Sequence, residues 1–157
     1  MKKKKILFIY NPHAGKAQIR SNLLDIIDIF TKAGYEVTAY PTQMRGDAIE
    51  AVIERSGSFD LLACSGGDGT LDEVVTGMMQ CEKRISIGYI PAGSTNDFAH
   101  SLHIPKKMSS AATVAIEGKK FPCDIGDFNG DTFVYIAAFG LFTDVSYETT
   151  QEMKNVL

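Results

Sequence analysis

No apolar run in the 157 residues approaches the roughly 18 that a membrane-spanning helix requires. The run at residues 6–10 stops at Asn11-Pro12, too soon for the apolar part of a secretion signal, and reads as a lysine-flanked first strand. Positive charge is not in excess: 16 Lys and Arg stand against 19 Asp and Glu, a net charge of −3. That balance, with a pI near 5.6, argues against non-specific nucleic-acid binding, so no nucleic-acid partner is expected. Cysteine is scarce. Cys64, Cys81 and Cys123 lack metal-ligand spacing, and an odd number closes no disulfide set. Reduced thiols in a cytoplasmic protein are the expectation. Internal repeats, low-complexity tracts and an interdomain linker are absent. No serine or cysteine comes with a histidine base, so no nucleophilic triad is expected.

What remains is an ordinary globular composition, 45% hydrophobic and 22% charged, long enough for one domain with a real core. Strand patterns are expected at residues 5–10, 36–40, 60–65 and 85–90. Helical patterns are expected at residues 17–33, 47–55 and 71–80, with shorter ones at 97–102 and 109–117. Residues 121–128 and 132–138 flank Asn129-Gly130, a strong hairpin signal. Strand followed by helix, four times, predicts an α/β fold: a mostly parallel sheet with helices on both faces, ending in a β-hairpin. Ligands of such sheets bind beyond the carboxyl ends of the strands. The loops at residues 11–16, 41–46, 65–70 and 91–97 are therefore the ones to inspect.

In "LLACSGGDGTLDEVVTG" three glycines fall within four positions, 66–69, around Asp68. Glycine lets backbone amides converge on an anion, and the following helix aims its positive end at the same place. Thr70 can cap that helix or donate to a phosphate oxygen. A bare carboxylate would repel phosphate, so Asp68 argues for a divalent cation, Mg²⁺ being commonly held by one or two carboxylates plus phosphates. A tight turn with Asp68 as helix cap explains the same residues equally well. "PAGSTNDFA" gathers Gly93, Ser94, Thr95, Asn96 and Asp97, more polar groups than a cap needs. "NPHAGK" adds Asn11, Gly15 and Lys16 but lacks P-loop spacing, so Lys16 is not read as a Walker lysine. Thr42 leaves the second strand at the same edge. His13 lies in a binding loop without an acidic neighbour in sequence, and His100 and His103 read as helix-surface residues. Asp124, in "FPCDIG", joins Asp68 and Asp97 around a metal only if its strand end faces the same cleft; a solvated strand residue is the alternative. The lysines Lys2 to Lys5 could touch anionic lipid, but a solubilising terminus is favoured.

"NPHAGK", "SGGDGTLDEVVTG" and "IPAGSTNDFA" occur in an order and spacing that resembles the diacylglycerol kinase catalytic domain family, bacterial lipid-kinase branch. "FVYIAAFGLFTDV" looks like that family's stretch after the hairpin. The glycine-aspartate motif alone is shared with NAD kinases and sphingosine kinases; its pairing with "PAGSTNDFA" points to lipid kinases. The resemblance implies an NAD kinase/diacylglycerol kinase-like N-terminal domain over residues 1–157. It implies ATP-dependent phosphorylation of a lipid hydroxyl, with ATP and Mg²⁺ as cofactors. The nucleotide site would comprise Asn11, Pro12, His13, Ala14, Gly15, Thr42, Gly66, Gly67, Asp68, Gly69, Thr70, Leu71, Asp72 and Ser94. Asp68 would be the signature carboxylate orienting metal and phosphate, with Asp97 and Asp124 as further metal positions. Asp72 stands where the family usually has asparagine, adding charge near the phosphates. Ser94 stands for threonine and keeps the hydroxyl. Family members are about twice as long, with a β-rich second domain that supplies the general base and lipid site. The chain, ending in "ETTQEMKNVL", thus reads as a nucleotide-binding fragment, inactive or nearly so alone. A cytoplasmic protein is implied, transiently peripheral to the inner membrane face, with homodimerisation left open. Rival readings are a kinase of a soluble substrate such as NAD, and a nucleotide-binding regulatory module without turnover.

Overall fold

The structure, a computed structural model, describes residues 3–128 and 131–134. The turn Asn129-Gly130, Lys2, the later part of the expected second hairpin strand, and the stretches after Val134 lie outside the described residues.

Four strands, β1 (Lys4–Tyr10), β2 (Tyr35–Pro41), β3 (Leu61–Gly66) and β4 (Ser86–Pro91), form one parallel sheet in the order β2-β1-β3-β4. β3 sits inside the sheet, and every residue of "LLACSG" is buried, as expected of a parallel strand covered on both faces. Strand alternation divides the core in two. Ile6, Phe8, Leu61, Ala63 and Ile90 pack against α1 (Ile19–Lys32) and α5 (Met108–Glu117). Leu7, Ile9, Leu62, Cys64 and Tyr89 pack against α2 (Asp47–Arg55) and α3 (Asp68–Gln80). The Phe8 and Phe30 rings meet edge to face at 5.6 Å between centroids. Each such fully buried large side chain contributes roughly 1.5–3 kcal/mol. The expected α/β layers with helices on both faces are present.

The boundaries moved where backbone geometry overrode periodicity. The first helix begins at Ile19 rather than residue 17, because Ala17 lies at φ +54°. α3 begins at Asp68, three residues before the expected 71, so Asp68, Gly69 and Thr70 form its first turn. After α4 (Asp97–Ser101) and α5, the hairpin strands β5 (Gly126–Phe128) and β6 (Asp131–Phe133) pair antiparallel, and β5 is shorter than the expected 121–128. The hairpin rests on α3, where the Thr76 and Thr132 hydroxyls hydrogen-bond.

The lysines at the start of β1 occupy the opposite end of the sheet from the glycine-rich loops. Lys3, Lys4 and Lys5 gather there with Lys83.

Candidate nucleotide site

β1 connects to β2 on one side and pairs with β3 on the other, so the strand order reverses between β1 and β3. The loops leaving these two strands diverge there and open a crevice. The crossover loops are stitched to the strand ends. The Asn11 amide donates to Ser65 O at 2.9 Å, Thr42 N to Tyr10 O at 2.9 Å, and Ala92 N to Gly66 O at 2.9 Å.

Three of the four loops meet backbone against backbone. Gly15, at φ +53°, lies so close to the fourth loop that an added Cβ would sit 2.5 Å from Ala92 O. A Cβ on Gly93 would sit 2.5 Å from Gly67 Cα. Glycine is required at both places, by a left-handed φ and a close approach at the first and by a close approach at the second. Gly69 differs: nothing lies within 4 Å of an added Cβ. Gly67 stands at the N-cap of α3 in extended conformation, and among the described residues no side-chain cap is seen on that helix. A 13-residue helix therefore presents its uncapped positive end at the crevice.

Asp68 has a role the sequence left open. Its Oδ2 accepts the Asp97 amide at 3.1 Å and its Oδ1 the Phe98 amide at 3.3 Å. It thus caps α4, not its own helix, and ties the third loop to the fourth. Asp97 is exposed beside it. Asp124 is also exposed, and among the described residues no group of three or more His, Cys, Asp and Glu side chains is arranged to hold a metal. The three-carboxylate set expected from sequence is therefore not assembled. Asp68 and Asp97 remain linked through the Asp97 amide, and carboxylate oxygen is a donor type that Mg²⁺ takes together with phosphate oxygens and water.

The other expected residues sort by position. Leu71 is 2% exposed and its side chain belongs to the core; its amide donates to Gly67 O at 3.1 Å. Gly66 is buried, and its carbonyl also accepts the Tyr89 hydroxyl at 3.0 Å. Thr70 folds back over Gly66, where an added Cβ would meet its side chain at 2.5 Å. Asn11 Oδ1 accepts the His13 amide at 2.9 Å, shaping the first loop around Pro12 and buried Ala14. Ser94 is exposed at the mouth. Asn96, at φ +53°, exchanges two 2.8 Å hydrogen bonds with the Gly93 backbone, so part of the polarity of "PAGSTNDFA" shapes the loop. Asp72 is half-buried and accepts the Val134 amide at 3.2 Å. Burial raises its carboxyl pKa first, the Val134 amide opposes that, and Asp68 adds to the rise.

Sequence reasoning missed several contributors. Arg20 Nε donates to Pro12 O at 3.3 Å and its Nη2 reaches His13 Nδ1 at 3.4 Å, bracing the first loop from α1. Its place in the first turn of α1, just after the loop, was the available signal. A cleft of about 510 Å³ flanks Gly15, Lys16 and Ser94 and is also lined by His100 and Lys106. His100, expected as a plain helix-surface residue, thus faces that cleft. Ser65 Oγ is fully buried and has no hydrogen-bond partner among the described residues.

The family model for the diacylglycerol kinase catalytic domain matches residues 5–128. The chain belongs to that family. The diacylglycerol kinase of Staphylococcus aureus strain MRSA252 is 43% identical over 156 residues, covering 99% of this chain and 50% of that protein. The diacylglycerol kinase of Staphylococcus saprophyticus is 42% identical over 156 residues, covering 99% of this chain and 51% of that protein. The crystal structure of a diacylglycerol kinase from Bacillus anthracis str. Sterne superposes with a TM-score of 0.76 at 32% identity, covering 85% of this chain and 46% of that one. The chain spans about half the length of the curated relatives it matches. Within the diacylglycerol kinase family framework, the residues matched include all four loops of the sheet edge.

Proposed function

We propose that this chain is the nucleotide-binding α/β domain of an ATP-dependent lipid kinase, which transfers the γ-phosphoryl of ATP to a lipid hydroxyl such as that of diacylglycerol. The observation that carries this reading is the uncapped N-terminus of α3, placed at the strand-order reversal with glycines of two other loops packed around it. Amides of the first turn would hold phosphate oxygens, aided by the helix dipole and by the hydroxyls of Thr70 and Ser94. Thr42 and the Asn11 to Gly15 loop would hold the rest of the nucleotide. Catalysis of this kind is mainly positioning and charge stabilisation. Asp68 and Asp97 would hold Mg²⁺, whose charge would offset that of the phosphates. Asp68 already fixes the fourth loop against α3, so its loss would disturb Ser94 as well as the metal. No residue of the described chain is assigned as general base for the hydroxyl proton. Among the described residues no helix is long and apolar enough to cross a membrane. We read the enzyme as cytoplasmic, meeting its lipid at the inner membrane face.

Calorimetry with Mg-ATP is the direct test, and weak binding is expected, with turnover low or absent for this chain alone. No nucleotide binding would sink the reading. Radiolabelled ATP with mixed lipid and NAD acceptors separates substrates, since only a lipid product partitions into organic solvent. Product confined to water would transfer the reading to a soluble-substrate kinase.

A further inference from the structure

α3 carries a third carboxylate, Glu73, that the phosphate cradle does not use. Its Oε1 accepts the Gly46 amide at 3.0 Å, across to the β2–α2 loop. Gly46 stands at φ +87° at the start of α2, and no side chain of its own loop caps that helix. Glu73 and Gly77 lie four apart and so share a face of α3. At Gly77 the same neighbour comes close: an added Cβ would meet Ile49 O at 2.8 Å and Val52 Cβ at 2.9 Å. One face of α3 thus grips α2 twice, by close approach at Gly77 and by a carboxylate-to-amide bond at Glu73.

The loop so gripped carries Thr42. Its near end is pinned to β1 by Thr42 N to Tyr10 O at 2.9 Å, and its middle by the Gln43 amide to Asp47 Oδ2 at 2.7 Å. Glu73 supplies the far anchor and comes from the helix whose first turn faces the crevice. Thr42 leaves β2, two strands from β3 in the sheet order. Neighbouring strands are about 4.8 Å apart, so Thr42 lies on the order of 10 Å from the end of β3. That span separates a terminal phosphate from a nucleoside.

We propose that Glu73 is a positioning residue, which sets the Thr42 loop at nucleoside distance from the α3 cradle by holding the Gly46 amide. This rests on the reading of the crevice as an ATP site. The test compares ATP with tripolyphosphate, which has no nucleoside, on this chain by calorimetry. Glu73→Ala should weaken ATP roughly ten-fold, which equals about 1.4 kcal/mol, and leave tripolyphosphate unchanged. Glu73→Gln, whose amide oxygen can still accept the Gly46 N–H, should keep most of the ATP affinity. Hydrogen exchange at the Gly46 amide should quicken in Glu73→Ala and not in Glu73→Gln. ATP affinity that survives Glu73→Ala overturns the proposal alone, as does an equal loss for both ligands. Failure of the unsubstituted chain to bind ATP overturns the kinase reading and this role together.

Discussion

Gly69→Ala separates what the glycine-rich turn does for the fold from what it does for a ligand. Gly69 is the second residue of α3, is exposed, and has open space around the position of a Cβ. Alanine in a helix is favoured over glycine by up to ~1 kcal/mol. For a chain of this size that is about 3 °C in melting temperature. The fold should therefore hold or gain slightly. Helical Cα–Cβ bonds tilt toward the N-terminus, so the new methyl would enter the space in front of the first turn. A phosphate seated on those amides would be displaced, and the dissociation constant for Mg-ATP should rise ten-fold or more, about 1.4 kcal/mol. Thermal unfolding and calorimetry on one preparation read both effects. Unchanged ATP affinity would refute the seating of phosphate on α3. A lower melting temperature would refute the open surroundings of Gly69.

Gly15→Ala should do the reverse. A left-handed alanine costs roughly 1–2 kcal/mol, and a Cβ at 2.5 Å from Ala92 O forces the loops apart at a further ~1–3 kcal/mol, so unfolding should come several degrees earlier. Asp72→Asn should stabilise the chain near neutral pH. The folded carboxyl pKa is raised above its ordinary value of 3.8, so ionisation weakens the fold as pH climbs through the interval between the two, and the weakening persists above it. The advantage of asparagine, read as the difference in melting temperature, should vanish once pH falls below about 4.

Much of this architecture was legible because apolar alternation fixes which face a strand residue serves. Ile6 and Phe8 against Leu7 and Ile9 is such a case. The site was legible as a set of loops, because glycine, hydroxyl and carboxylate collected at one sheet edge. The individual roles were not. Asp68 looked like a cap or metal group for its own helix, whereas its partners are the amides of Asp97 and Phe98, 29 and 30 residues on. Glu73 stood out in no motif, and its partner, the Gly46 amide, lies 27 residues back. Such pairings depend on how two helices cross, which no local pattern encodes. Asp124 was tied to Asp68 and Asp97 only on condition that its strand end faced their cleft, and among the described residues no set of three such side chains is arranged to hold a metal.

The position of the lysines has a consequence for encounters with a bilayer. β1 runs seven residues from Lys4 to Tyr10, with Lys3 to Lys5 near one end and the crevice beyond the other. At about 3.3 Å per residue the two ends are separated by roughly 20 Å. A flat anionic surface gripped by these lysines would face the tail of the sheet and leave the crevice pointing into water. On the proposed reading, adhesion through the lysine run and access of that surface to the crevice would oppose each other.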